Sequence, residues 1–320
     1  MTELQGLRVL VTGATGFIGR YLVEELKEQN ADLTLIVRPR SLQDASGFVV
    51  SLIRQGVKVV FSTAEDIYVA RFPNTSYDVL VNLVGPRTND TLNNWLANVE
   101  YVRKLSTLFR SLRLERAVHL SSSAVYGIPA SVAIVTEDCA THPTDWYGVT
   151  KLLGEILWKR IQLLTNVPIT ILRPTWVIGL GSRLLDRYLI AARRKGIRID
   201  LSTPVNAIYV RDVADAIVRA IQYKHNAMEI LNVNIDKKMP FTELTRALDE
   251  AFGQNTLPLT VPRSLVKLLA LRFDVFRFLL AGSFIDATKA REKLGFVPRY
   301  DLKMMFKDIR KSMSARSPCY

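Results

Sequence analysis

Apolar and β-branched residues gather in short runs along this chain, separated by longer stretches of mixed polarity. The first run is Leu7-Arg8-Val9-Leu10-Val11, and others fall at residues 33–37, 57–61, 79–84, 116–120 and 169–173. Runs this short and this apolar predict strands buried on both faces. After the first run Tyr21, Leu22 and Leu26 stand among Glu and Lys with helical spacing, and stretches rich in Leu, Glu and Arg separate the later runs. Strands alternating with helices predict an α/β fold: a doubly wound parallel sheet with helices on both faces. Ligands in such sheets sit outside the carboxyl ends of the strands. Gly85, just past one run, and Ser121 to Ser123, just past another, are therefore expected to line that crevice.

The first strand leads into Thr12-Gly13-Ala14-Thr15-Gly16-Phe17-Ile18-Gly19 and then directly into the first helix. Glycines spaced Gly-x-x-Gly-x-x-Gly between strand and helix allow a tight turn, close approach of backbone N–H groups to a pyrophosphate, and tight helix–strand packing. The helix N-terminus then favours the phosphate charge. Gly13, Thr15, Gly16, Phe17, Ile18 and Gly19 are the cofactor-binding candidates of this turn. The second strand ends at Arg38, where a site for NAD usually carries an acidic residue that accepts a ribose hydroxyl. An arginine cannot accept that bond but pairs with a 2′-phosphate. NADP is therefore preferred over NAD, with Arg38 as first contact and Arg40 as second; the alternative is a solvated surface arginine.

Farther on come Ser121-Ser122-Ser123-Ala124-Val125-Tyr126-Gly127 and Tyr147-Gly148-Val149-Thr150-Lys151. Tyr147 and Lys151 are four apart and share one face of a helix. A tyrosine hydroxyl titrates near ~10 when unperturbed, and a neighbouring ammonium is expected to lower that value. A serine hydroxyl at the adjacent strand end can polarise a carbonyl. Beside a nicotinamide these groups make a hydride-transfer site in which tyrosine moves the proton.

In these motifs the chain resembles the extended short-chain dehydrogenase/reductases, the NAD(P)-dependent epimerases/dehydratases. The likeness covers nearly the whole length: the glycine turn, Asn98, Ser121 to Gly127, Glu137-Asp138 through Pro143 to Tyr147 and Lys151, Arg173-Pro174, Tyr209 to Ala214, Leu231-Asn232-Val233 and Lys293-Leu294-Gly295-Phe296. The resemblance implies a Rossmann-type fold with a smaller C-terminal substrate-binding lobe. Residues 1–174 would be the NAD(P)-binding domain, its sheet continued by about 205–235 with a return near Ile208 to Ala216, and residues 175–320 mainly the substrate lobe. It implies Tyr147 as general acid/base and Lys151 as the residue that holds the nicotinamide ribose. Ser122, four residues before Tyr126, is implied as the carbonyl-binding hydroxyl, with Ser123 assisting at the substrate. Gly85 would lie along the cofactor and Pro174 would close over its nicotinamide end. Departures stand beside these matches. The acidic-hydrophobic pair at the third strand is blurred into Ser62-Thr63-Ala64-Glu65-Asp66, and the fourth strand ends in Asn82-Leu83-Val84-Gly85. Trp176 and Val205 replace the Asn and Arg common in nucleotide-sugar epimerases.

Charge narrows the substrate. Forty-three Lys and Arg against 30 Asp and Glu give +13, which favours anionic partners. No helix-turn-helix, zinc finger or aromatic RNA-binding signature accompanies it, so no nucleic-acid partner is expected. Arg183, Arg187, Arg193, Arg194, Lys195 and Arg198 crowd the segment that in the resembled family covers the substrate. Arg183 and Arg187 are the substrate-binding candidates for a diphosphate; the alternative is a solvated helical face. The first functional reading is a nucleotide-sugar 4-epimerase or 4-keto reductase. The second is a hydroxysteroid dehydrogenase or flavonol-type carbonyl reductase on an apolar ketone, suited by Trp176 and the apolar stretch 265–280. The third is a non-catalytic NADP-binding sensor or scaffold. Two distant cysteines supply no metal or disulfide framework, so no metal and a reduced, cytoplasmic setting are expected. The chain start lacks a secretory pattern, and no uninterrupted apolar span of about eighteen residues predicts stable membrane insertion. Leu152, Leu153, Ile156 and Leu157 beside the Tyr147 pair would permit a homodimer.

Overall fold

The computed structural model describes residues 4–88, 90–128, 134–182, 185, 196–201, 203–235, 237–253, 255–260, 262–270 and 283–315. Seven strands form the central sheet: β1 (Arg8–Thr12), β2 (Asp32–Val37), β3 (Lys58–Phe61), β4 (Ser76–Asn82), β5 (Arg113–Leu120), β6 (Ile169–Pro174) and β7 (Met228–Val233). Their order is β3-β2-β1-β4-β5-β6-β7, and every pairing is parallel. The order reverses beside β1, and Val9 aligns with Leu33 on one side and with Val79 on the other.

Alternation along the strands decides which helices cover which face. Val9, Val11, Val79 and Val81 point into a core shared with α1 (Phe17–Glu28), α2 (Leu42–Arg54) and α4 (Val210–Gln222). Leu10, Tyr77 and Leu80 point the other way, into a core with Trp158 and Ile161 of α3 (Trp146–Thr165) and with Tyr101, Val102 and Leu105. Those last three follow a π-helical turn at Leu96–Glu100, which interrupts the crossover helix between β4 and β5. A third core gathers Tyr209, Val210, Leu244 and Leu248 with Phe306 and Ile309, joining α5 (Phe241–Phe252) to α6 (Leu302–Ala315).

The expected return to the sheet near residues 208–216 is corrected. Ala207–Tyr209 is a short strand, but its partner is Trp176–Ile178, in a pair of its own. Residues 210–222 are helical, because Val210, Val213, Ala214, Ile217, Val218 and Ile221 repeat at three- and four-residue intervals and all are buried. The segment that rejoins the sheet is β7, alongside β6.

Candidate active site

At the carboxyl end of β1 the chain turns at Gly13, whose φ is +82°, and a Cβ there would stand 2.9 Å from the Leu83 carbonyl carbon. Only glycine lets the turn lie this close to the end of β4. Helix α1 then begins after Gly16, with no side chain capping it and no acidic residue in its first turn. Its leading N–H groups and the positive end of its dipole are thus left for an anion.

On the other side of the switch point, β5 delivers Ser121 to Ser123. Ser122 Oγ accepts a hydrogen bond from Ala124 N at 3.2 Å and starts the 3₁₀ turn Ser123–Tyr126. Helix α3 delivers Tyr147 and Lys151 one turn apart. Asp145 caps its start, accepting from Gly148 N at 2.7 Å. The Lys151 ammonium is buried and donates to Leu120 O at 2.9 Å. Gly85 allows this: its φ is +152°, and a Cβ there would fall on Lys151 Nζ and Asn98 Oδ1.

These groups share one cleft of about 470 Å³. Its walls include Gly13, Thr15, Gly16, Phe17, Ile18, Gly19, Arg38, Gly85, Ser122, Ser123, Tyr147, Lys151 and Pro174, together with Arg87 and Trp176. Arg40 is exposed and lies outside the cleft, so the second phosphate contact expected of it has no support in the geometry. Arg183 and Arg187 fall outside the described residues. The blurred segment after β3 closes on itself, with Asp66 Oδ1 accepting from Ser62 Oγ at 2.9 Å and Thr63 Oγ1 at 2.8 Å.

One electrostatic expectation is overturned. Tyr147 was expected to be lowered by the Lys151 ammonium, yet its hydroxyl is pushed above its usual range, chiefly by burial. Arg87 and a hydrogen bond with Ser122 pull it down, while Asp145 pushes it up. Lys151 itself is lowered to about 8, because burial penalises the ammonium more than Glu155 supports it. The two groups lie on one helix face, as the spacing requires, but Lys151 Nζ is 6.0 Å from the Tyr147 ring centre.

A buried network lies beneath the site; Ser121, Tyr126, Arg173 and Asn232 stand in the motifs of the resemblance, while its central residue, Glu155, was not singled out by the sequence. Glu155, one turn beyond Lys151, accepts from Arg173 Nη2 at 2.6 Å, from Arg173 Nε at 3.0 Å and from Ser121 Oγ at 2.5 Å. Arg173 Nη1 donates to Tyr126 OH at 2.8 Å, which donates in turn to Asn232 Oδ1 at 2.8 Å. The continued spacing of four from Tyr147 through Lys151 to Glu155 was the available signal. Asn98 also contributes, buried in the π turn with its Nδ2 donating to Thr150 Oγ1 at 3.0 Å. Among the described residues no cluster of three or more His, Cys, Asp or Glu could hold a metal ion.

A glycine turn and a Ser–Tyr–Lys group facing one another across the switch point of a parallel sheet define the class of dinucleotide-dependent α/β enzymes. The sequence pattern of the NAD dependent epimerase/dehydratase family matches residues 9–235, and the chain belongs to that family. It is 26% identical to a UDP-glucose 4-epimerase of Mycolicibacterium smegmatis, over 92% of this chain and 95% of that one. Over 66% of each chain it is 29% identical to a Streptomyces antibioticus protein named for a dTDP-4,6-dihydroxy-2-methyloxan-3-one 4-ketoreductase activity. Its fold is shared with a UDP-glucuronic acid 4-epimerase from Bacillus cereus solved with NAD, at a TM-score of 0.75 and 22% identity over 97% of this chain and 99% of that one.

Proposed function

We propose that this chain is an NAD(P)-dependent enzyme acting at C4 of a nucleotide-diphosphate sugar, as a 4-epimerase or a 4-keto reductase. The observation that carries the reading is the single cleft in which the glycine turn, Arg38 and the Ser122–Tyr147–Lys151 group form adjoining walls. Those walls suit a dinucleotide: the turn leaves backbone where Cβ atoms would block approach, and α1 presents an uncapped N-terminus. When bound, the nicotinamide accepts or returns a hydride at the sugar carbon. Tyr147 removes or returns the proton on the C4 oxygen, Ser122 donates to that oxygen, and Lys151 holds the ribose hydroxyls. Arg38, exposed at the far end beside Ser41, pairs with a 2′-phosphate, which makes NADP the preferred cofactor. Pro174 lies at the end of β6 on the wall where the nicotinamide would rest.

The names of the relatives support the sugar, since both act at position 4 of a nucleotide-linked ring or its precursor. Ser123, Arg183 and Arg187 are proposed for the substrate, the arginines toward its diphosphate. Residues 175–320, apart from the strand and helix that complete the sheet, are proposed as the substrate lobe. A homodimer through α3 is proposed because Ile156, Leu163 and Leu164 are exposed along it. Among the described residues no helix is long and apolar enough to cross a membrane; a reduced, cytoplasmic setting is proposed from the scarcity of cysteine.

A second reading, a carbonyl reductase for an apolar ketone, is favoured by Trp176 on the cleft wall. Thermal-shift screening separates the two. With NADP present, uridine- and thymidine-diphosphate sugars should raise the melting temperature further. No rise with any nucleotide sugar, alongside a rise with steroid-like ketones, would promote the second reading.

A further inference from the structure

At the reacting end of the cleft a cation from outside α3 comes closer to Tyr147 than the lysine of its own helix does. Arg87 lies in the loop after β4, and its guanidinium carbon stands 5.1 Å from the centre of the Tyr147 ring. Its Nη2 donates to Asp145 Oδ2 at 2.7 Å, while Asp145 Oδ1 accepts from Gly148 N. One carboxylate thus fixes both the guanidinium and the start of the helix that carries Tyr147. Lys151 directs its ammonium to Leu120 O, 6.0 Å from the same ring centre.

A cation over a ring is attracted to it, and the attraction grows when the hydroxyl becomes a phenolate. We propose that Arg87 is a positioning residue for proton transfer: clamped over the Tyr147 ring by Asp145, it supplies the positive charge that favours the phenolate. The groups facing Tyr147 all enter this balance. Arg87 comes from the loop after β4, Ser122 from the turn after β5, and Asp145 and Lys151 from the tyrosine's own helix. Asp145 opposes the phenolate, Ser122 stabilises it by hydrogen bonding, and burial disfavours it. Glu155 is held by Arg173 and Ser121 and does not enter the balance at Tyr147, although it supports the charge of Lys151. Burial pulls the Lys151 ammonium down to about 8. The inference rests on Tyr147 as the proton-transfer residue, but its test does not need a known substrate.

Tyrosinate absorbance is followed against pH for the full chain and for Tyr147→Phe, and the difference between the two isolates Tyr147. The same pair is measured in an Arg87→Gln and an Arg87→Lys background, with and without saturating NADP. The midpoint should rise by about one pH unit in Arg87→Gln and by less in Arg87→Lys, which keeps the charge. A midpoint unmoved by Arg87→Gln, or moved by Lys151→Met alone, would overturn the inference. A displaced midpoint in a chain that turns over no nucleotide sugar would uphold the inference and sink the substrate reading.

Discussion

Arg38 follows the last residue of β2, on the rim of the cleft beside Ser41, and is the residue proposed to separate NADP from NAD. In the proposed reading, replacing it with aspartate exchanges a phosphate partner for an acceptor of the ribose hydroxyls. Fluorescence titration should show wild type binding NADPH at least about tenfold more tightly than NADH, consistent with a charge-assisted bidentate contact. Arg38→Asp should erase or reverse that preference; equal affinities in wild type would refute the argument. Arg38, the glycines and the Tyr147/Lys151 pair were legible in the sequence because each signal is local: a strand end, a turn between strand and helix, a spacing of four. Arg87 was not, since its partner Asp145 is 58 residues away and only the fold brings the two together. The same limit explains the mistaken sign at Tyr147. Spacing reported the nearby lysine but could not report how far the surrounding chain desolvates the half-buried tyrosine or where the ammonium points.

At the level of elements, α3 carries the proposed proton-transfer group: Tyr147, Lys151 and Glu155 occupy successive turns of one face. Lys151 is buried, and its lowered titration means that folding favours the neutral amine. A lysine depressed from 10.5 to about 8 contributes stability above its unfolded value, which is lost as pH falls through about 8. At neutral pH the charged side chain therefore costs stability. Lys151→Met should stabilise the cofactor-free chain by about 1–2 kcal/mol at pH 7, after allowance for the lost bond to Leu120 O. The gain should shrink as pH rises past 8, and turnover should be lost throughout. A melting temperature lower in the variant at pH 7 than in wild type would contradict this. Glu155 and Arg173 answer a different need: each is buried, and each would be left as an uncompensated charge without the other. Helix α4 shows how an element can be misread. A return to the sheet is expected near Ile208 to Ala216, while the three-and-four periodicity from Val210 onward describes a helix.

Across the whole molecule, the doubly wound sheet was readable because six of its seven strands each contain a short apolar or β-branched run, such as Val9-Leu10-Val11 in β1 and Val79-Leu80-Val81 in β4. The seventh, β7, falls within the stretch 205–235 expected to continue the sheet, but its bounds were not legible, for it carries Glu229 and Asn232 and is only partly buried at its start. Asn232 is polar because it serves the network above the sheet, donating to Asp286 O at 3.0 Å and accepting from Tyr126. The region proposed as the substrate lobe was least readable, since its short strands pair in twos across large sequence distances, as Ile197–Asp200 does with Leu257–Thr260. The +13 charge divides accordingly. Arg38 answers a cofactor phosphate in this account, Arg173 is committed to the buried network, and Arg198 is tied to Asp200 and Asp249. The proposed chemistry takes place at C4, with Tyr147 moving the proton. The most direct measurement is nuclear magnetic resonance of uridine- and thymidine-diphosphate sugars and their 4-keto forms, incubated with NADP or NADPH and the wild-type chain or Tyr147→Phe. Wild type should invert or reduce C4, and the variant should be slower by about 10²–10⁴-fold with its fold intact. Turnover that survives Tyr147→Phe unchanged, or no change at C4 of any nucleotide sugar while an apolar ketone is reduced, would contradict it.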